Sequence, residues 1–247
     1  GEVPGSPGIN NTIDYVTITS TGNAIDFGDA AYKVEGARGF SDATRGVFAF
    51  GFQRTDWASK SDLQYFTIAT TGNAVDTGID ITTNHRSGSA FASPTRGIFA
   101  GGNPGPTNVI SYITISSLSQ AADFGDLITG DDSSESSCGC SNAVRGIYFA
   151  GYDSPATYTN IIEYITIATL GNSKDFGDST NGLNSASAAS SPTRGVHMGG
   201  GNSSPYVAIN TVDYVQIMST GNAVDFGDLT IPSYSGTACS NGHGGLG

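Results

Sequence analysis

One phrase occurs five times along this chain, as IDYVTITSTGNAIDFGDA, LQYFTIATTGNAVDTGID, ISYITISSLSQAADFGDL, IEYITIATLGNSKDFGDS and VDYVQIMSTGNAVDFGDL. Its tyrosines, Tyr15, Tyr65, Tyr112, Tyr164 and Tyr214, stand 50, 47, 52 and 50 residues apart. A fixed period of this length means that each copy is one supersecondary unit. Such a unit cannot cover its own apolar faces and must stack on its neighbours. No linker interrupts the period, so residues 1–247 are read as one domain, long enough to bury roughly three quarters of the surface of its unfolded chain.

Composition narrows the partners before it narrows the fold. With 22 acidic against 10 basic side chains the net charge is −12. A surface of that sign repels phosphate backbones and offers nothing for counterion release, which makes nucleic acid and anionic membranes poor partners. Neither a signal peptide nor an apolar span of about 18 residues is present, so no membrane insertion is expected. The chain begins at Gly1 rather than methionine, and residues upstream of it are expected. Gly, Ser, Thr, Asn and Asp are abundant, but β-branched and aromatic residues recur in register and supply apolar area at regular intervals, which indicates ordered, turn-rich β-structure. Cys138, Cys140 and Cys239 are an odd number, and Cys-Gly-Cys is too tight for a relaxed bridge between its own members. Cys140 and Cys239 occupy one repeat position where other copies have Ala or Ser, so they read as small buried residues.

Residues 86–128 resolve into four short segments, each followed by a turn. The first, Gly88 to Ser93, is small-residued, as an inner strand beside a crowded axis must be. Pro94-Thr95-Arg96-Gly97 makes a tight turn. Ile98 to Gly102 is apolar throughout and expected to be buried on both faces. Val109 to Ser116 alternates, and a short fourth strand near Ala121 to Phe124 ends in Asp-Phe-Gly-Asp. No segment carries a 3.6-residue apolar stripe, so helix content should be close to nil.

The chain ends complement each other. GEVPGSPGINNTIDYV matches the loop and third strand of other copies, and TACSNGHGGLG matches a first strand, its turn and the opening of a second. An open solenoid has no need of that complementarity. It suits a ring whose last unit is shared between both ends. A period near 50, a small-residue strand, an aromatic-containing strand ending in Gly-Gly (Ile98 to Gly102; Val196 to Gly201) and a following Tyr resemble kelch repeats over nearly the whole chain. The resemblance implies an all-β, five-bladed kelch-like β-propeller with four short antiparallel strands per blade. Kelch repeats carry tryptophan in the outer strand, whereas this chain has Phe27, Phe124, Phe176 and Phe226, with Thr77 in the second copy. The phrases SSPTRG, TGNAVDFGD and ITIAT also resemble repeat proteins of marine tailed phages, which implies a virion or extracellular location.

Several residue sets are candidates for function. The pairs Asp26/Asp29, Asp123/Asp126, Asp175/Asp178 and Asp225/Asp228 could present carboxylates to Ca²⁺, with Asp29, Asp126, Asp178 and Asp228 as weak ligands. A calcium site wants six to eight oxygens, and no dense Asp run supplies them, so turn-forming hydrogen bonds are the favoured role and no metal is expected. Arg45, Arg96, Arg145 and Arg194 could form an anion-binding ring. Planar bidentate bonding to carbonyls or an Asp carboxylate suits fixed structural positions better. His85, His197 and His243 share no repeat position and stand in no nucleophile or metal motif, so no catalytic residue and no cofactor are expected. The loops between second and third strands differ where the strands agree, and they hold Trp57, Tyr152, Tyr158 and Tyr206. Aromatics over a rigid scaffold suit recognition of a protein or a sugar surface. The expected function is therefore a non-enzymatic binding or structural module, a tail fibre, adhesin or decoration, whose partners are subunits of a larger assembly or a host surface glycan or protein. A glycan-active hydrolase and a calcium-stabilised lectin-type propeller are the alternatives.

Overall fold

The computed structural model describes residues 10–33, 35–49, 51–53, 58–82, 87–102, 107–129, 137–149, 151–153, 157–202 and 207–246. Copy one contributes β1 (Thr12–Tyr15) and β2 (Ile25–Asp29). Copy two runs β3 (Arg38–Ser41), β4 (Arg45–Ala49), β5 (Phe52–Gln53), β6 (Ala58–Ser59), β7 (Asp62–Thr67) and β8 (Val75–Asp80). Copy three has β9 (Ser89–Ala92), β10 (Arg96–Ala100), β11 (Val109–Thr114) and β12 (Ala122–Asp126). Copy four runs β13 (Cys138–Ser141), β14 (Arg145–Phe149), β15 (Tyr152–Asp153), β16 (Thr157–Tyr158), β17 (Ile161–Thr166) and β18 (Lys174–Asp178). Copy five runs β19 (Ser187–Ser190), β20 (Arg194–Met198), β21 (Gly201–Asn202), β22 (Val207–Ala208), β23 (Thr211–Gln216) and β24 (Val224–Asp228).

Copies two to five each form a four-stranded antiparallel sheet in sequence order, β3-β4-β7-β8, β9-β10-β11-β12, β13-β14-β17-β18 and β19-β20-β23-β24. Copy one forms the two-stranded β1-β2. No α-helix occurs among the described residues, and the one helical turn is 3-10, Gly244–Leu246. In copies two, four and five the loop between second and third strands is itself a small hairpin, β5-β6, β15-β16 or β21-β22.

The sheets of copies three and four are covered on both faces by their neighbours, which is why the third strand there is buried whichever way its side chains point. Ile113 and Ile115 pack with Val47, Ala49 and Leu63 of copy two, while Ile110 of the same strand packs with Phe124, Ile165 and Ile167 towards copy four. Copies four and five repeat the arrangement, with Val215 and Ile217 against Ile147, Ile162 and Phe176. The first strands stand side by side, β3 with β9, β9 with β13 and β13 with β19. Ser141 Oγ donates to Ala92 O at 2.7 Å and Ser190 Oγ to Ser141 O at 2.7 Å, one copy reaching the previous one. Ser240 Oγ continues this series onto Ser190 O. The C-terminal segment thus lies beside β19 in the place of a further first strand.

Two details depart from expectation. Asp-Phe-Gly-Asp does not end the outer strand but forms it, around a bulge. Ile110 pairs with Gly125 and Ser111 with Asp123, leaving Phe124 as the extra residue, and the same skip recurs at Phe27, Phe176 and Phe226. The bulge turns each phenylalanine edge-on to the tyrosine of the third strand, with ring centroids 5.9 to 6.0 Å apart. Further, the residues after Ser240 form no ladder with β1. They turn inward, and Gly244–Leu246 touches β3, β9 and β13. The glycines permit this, since a Cβ on Gly245 would fall 1.7 Å from Ser41 O and one on Gly244 2.3 Å from Ala92 O.

The bulge glycine is required by its neighbour as well as by its own backbone. Gly177 has φ of 144°, and an added Cβ would stand 2.5 Å from the carbonyl carbon of Gly221 in copy five. Gly177→Ala therefore combines left-handed strain with a backbone collision, costing on the order of 3 kcal/mol. Chemical denaturation should show that loss as a lower midpoint.

Candidate functional site

Three sets of polar contacts join successive copies. The first is the arginine set. Arg45, Arg96 and Arg145 each lie on the tyrosine of their own third strand, 5.5, 4.9 and 4.5 Å from the centroids of Tyr65, Tyr112 and Tyr164. Each also donates through Nη1 to a carbonyl of the following copy, Ile115 O at 2.8 Å, Ile167 O at 2.9 Å and Ile217 O at 3.2 Å. Stacking with carbonyl bonding uses both the face and the edge of the guanidinium, which a lysine cannot do. Arg194 is exposed, and among the described residues its guanidinium keeps the stacking contact alone, 4.9 Å from the Tyr214 ring centroid.

The second set is a backbone clasp. The Gly-Asn of one copy grips the bulged outer strand of the copy before it. Gly171 N donates to Phe124 O at 2.8 Å, Ser173 N donates to Asp126 O at 2.9 Å, and Asn172 Oδ1 accepts from Asp126 N at 3.1 Å. The same three bonds recur with Gly72, Ala74 and Asn73 on β2, and with Gly221, Ala223 and Asn222 on β18. Copy three has Ser119-Gln120 in place of Gly-Asn, and there Gln120 Nε2 reaches Asp80 O at 3.3 Å.

The third set was not anticipated from the sequence. In copies two to five the residue before the repeat tyrosine is buried and polar, as Gln64, Ser111, Glu163 and Asp213. Each reaches the residues just after the outer strand of the preceding copy. Ala31 N donates to Gln64 Oε1 at 2.7 Å, Thr129 N to Glu163 Oε1 at 2.8 Å, and Thr180 N and Oγ1 to Asp213 Oδ2 at 3.0 and 2.7 Å. Ser111 meets Thr82 in the same way. The signal was a polar residue recurring at one position inside an otherwise apolar strand, where burial demands a partner.

The carboxylates of the outer strand are not gathered. Asp225 Oδ1 accepts from Gly227 N at 3.1 Å across its own bulge, and Asp76 does the same for Gly78 N at 2.9 Å. Asp26, Asp123, Asp175 and Asp225 each lie on a different outer strand, as do Asp29, Asp126, Asp178 and Asp228. Among the described residues no group of three His, Cys, Asp or Glu side chains is placed to hold a metal ion.

The concave feature lies where the first strands converge. A cavity of about 590 Å³ is lined by Phe40, Phe48, Phe66, Phe91 and Val47, with Ser41, Ser141, Ser190 and His243 among its polar groups. A second space of about 200 Å³ takes its walls from five equivalent segments, including Arg38, Ala90, Cys138, Ser187 and Thr237. His243 accepts from Gly245 N through Nδ1 at 3.1 Å, so its Nε2 faces Ser41 Oγ at 3.1 Å as the protonated nitrogen, and burial lowers its pKa. His197 is buried, stacks on Phe149 with centroids 4.6 Å apart, and is held down to about 4 by desolvation. The three cysteines are free. Cys140 is buried with its Sγ over Gly195, as the rings of Phe40 and Phe91 lie over Gly97 and Gly146, and that burial pushes its thiol far above the ordinary range.

Of the loop aromatics, Tyr152 and Tyr158 stand opposite each other in the β15-β16 hairpin. Trp57 and Tyr206, with His85, lie outside the described residues. The linkers after the outer strands come to the same side, since Glu35 bridges Phe52 and Asn184 bridges Gly201. No protein-family profile matches the chain, and no curated protein is significantly similar to it.

Two measurements follow from these contacts. Arg96→Lys and Arg145→Lys should each cost about 1 kcal/mol in urea unfolding, the loss of a carbonyl bond and a ring face. His197 binds its proton near 6.5 when unfolded and near 4 when folded. Its contribution is therefore complete above 6.5 and lost as pH falls from about 6.5 towards 4, on the order of 3 kcal/mol in all. His197→Phe should remove that part of the slope in a series of denaturation curves.

Proposed function

We propose that the chain is a non-enzymatic binding or structural module, a five-bladed kelch-like β-propeller of virion or extracellular location. It presents the loops between second and third strands to a host surface glycan or protein, or to a neighbouring subunit. The observation that carries this reading is where the polar side chains go. The recurring Arg, Asn and buried strand acids are committed to contacts between copies. The ring is supported by the five equivalent segments that share the walls of one axial space. Diversity is left to the loops, three of which are extended as hairpins on the side where the linkers also emerge. A stiff repeated frame with divergent loops is the arrangement used for recognition.

The test is adhesion of the purified protein to host cells and to immobilised glycans, together with a search for the polypeptide in purified particles. Trp57→Ala with Tyr206→Ala should reduce binding at least tenfold, while Arg145→Lys leaves it unchanged. Recovery of the chain only in the soluble fraction of infected cells, or glycan turnover by the purified protein, would overturn the proposal.

A further inference from the structure

Successive copies meet at four junctions that share a polar contact from the third strand, three of them with the Gly-Asn clasp and three with the arginine bond, and two surfaces are left over. The leftover surface on copy five is the outer face of its sheet. Phe226 is 59% exposed, whereas Phe124 and Phe176 are each 2% exposed at the same position. Val196 and Met198 are half-buried where Ile98, Ala100, Ile147 and Phe149 are fully buried. An added Cβ on Gly227 would meet open space, while one on Gly125 or Gly177 would strike the clasp of the next copy. The leftover surface on copy one is its opposite face. Ile18 is 73% exposed, against 0% for Ile115, Ile167 and Ile217. Gly22 and Asn23 repeat the clasp residues Gly72 and Asn73, Gly171 and Asn172, and Gly221 and Asn222.

We infer that the bare face of copy five is the seat of Asp14–Ala24 of the same chain, so that the array closes through a fifth junction of the same kind. The equivalences state its bonds. Gly22 N donates to Phe226 O, Ala24 N donates to Asp228 O, and Asn23 Oδ1 accepts from Asp228 N, as at the other three clasps. The Asp14 carboxylate, exposed in copy one, accepts from Thr230 N and Oγ1, as Asp213 does from Thr180. Arg194 donates to Ile18 O, as Arg145 does to Ile217 O. Val16 and Ile18 cover Phe226, Val196 and Met198. Main-chain pairing, a buried acid, a guanidinium and an apolar patch each find their complement at one register.

The occupant is taken from the same chain because the C-terminal segment already spans the gap. Ser240 bonds to Ser190 of copy five, and His243 bonds to Ser41 of copy two, on which copy one is clasped. Both halves therefore flank one sector, where a tethered segment reaches its seat at a far higher effective concentration than a second copy does.

The inference rests on the closed-ring reading proposed above, and its test is independent of adhesion. Native-state hydrogen exchange is measured on the full chain by NMR, with molar mass by light scattering at the same concentration. The amides of Gly22, Ala24 and Asp228 should be protected by at least roughly a hundredfold, in step with Gly171, Ser173 and Asp126, in a monomer. Protection in a dimer or larger species that is lost on dilution would assign the seat to a second copy and overturn closure within the chain. Exchange at the rate of a free loop would overturn the junction altogether. Thermal melts give a second readout. Gly227→Ala should lower the melting temperature by as much as Gly177→Ala, because the new Cβ would then meet Gly22. A distinctly milder effect would contradict the closure. Failure of either measurement leaves the host-cell result to be judged on its own.

Discussion

The structure depends on a bulged outer strand whose edge is satisfied by the next copy. An outer strand would normally leave a row of unpaired amides and carbonyls, a hazard for edge-to-edge pairing. Here the bulge places an extra phenylalanine against the repeat tyrosine and exposes two carbonyls and an amide in the spacing that a Gly-Asn loop can answer. Two glycines make this approach possible, one in the strand at φ near 145°, where a Cβ would strike the loop backbone, and one in the loop at φ near 139°, a backbone angle that other residues rarely adopt. Edge protection and coupling between copies are thus one interaction, and the period of the sequence is the period of that interaction.

Around this clasp the other contacts divide the work by burial. The guanidinium on the tyrosine face ties the second strand of one copy to the third strand of the next near the surface. In the interior Glu163 and Asp213 tie a third strand to the residues after the outer strand of the preceding copy, where a carboxylate is tolerable because backbone and hydroxyl donors meet it. Apolar packing fills the space between, and the small residues of the first strands let those strands stand close side by side. Stability in such an array is spread over nearest-neighbour contacts, so a substitution in one junction weakens that junction first.

Much of the fold was legible because repetition removes the ambiguity of single segments. Strand positions in copy three were readable to within about two residues, since Pro and Gly mark the turns and the apolar runs are too short for helices. The destinations of Arg96 and Asp126 were less legible. A guanidinium and a carboxylate in a turn have many available partners, and only the placement of the next copy selects Ile167 O for one and Asn172 for the backbone of the other. Glu163 was overlooked because acids are usually surface residues, although one inside an apolar strand at a repeated position already signals a buried bond. The space between the first strands was not readable at all, since its lining comes from segments about 50 residues apart.

By itself the sequence determined the unit, its four strands, the order of those strands and the necessity of stacking, because each follows from local periodicity and from apolar area that one copy cannot cover. Tertiary structure alone decided what joins the units. Which donor meets which carbonyl, why the glycines of Asp-Phe-Gly-Asp cannot carry a side chain, and where two complementary faces are left bare all depend on distances between residues far apart in the chain, and no local pattern encodes such distances.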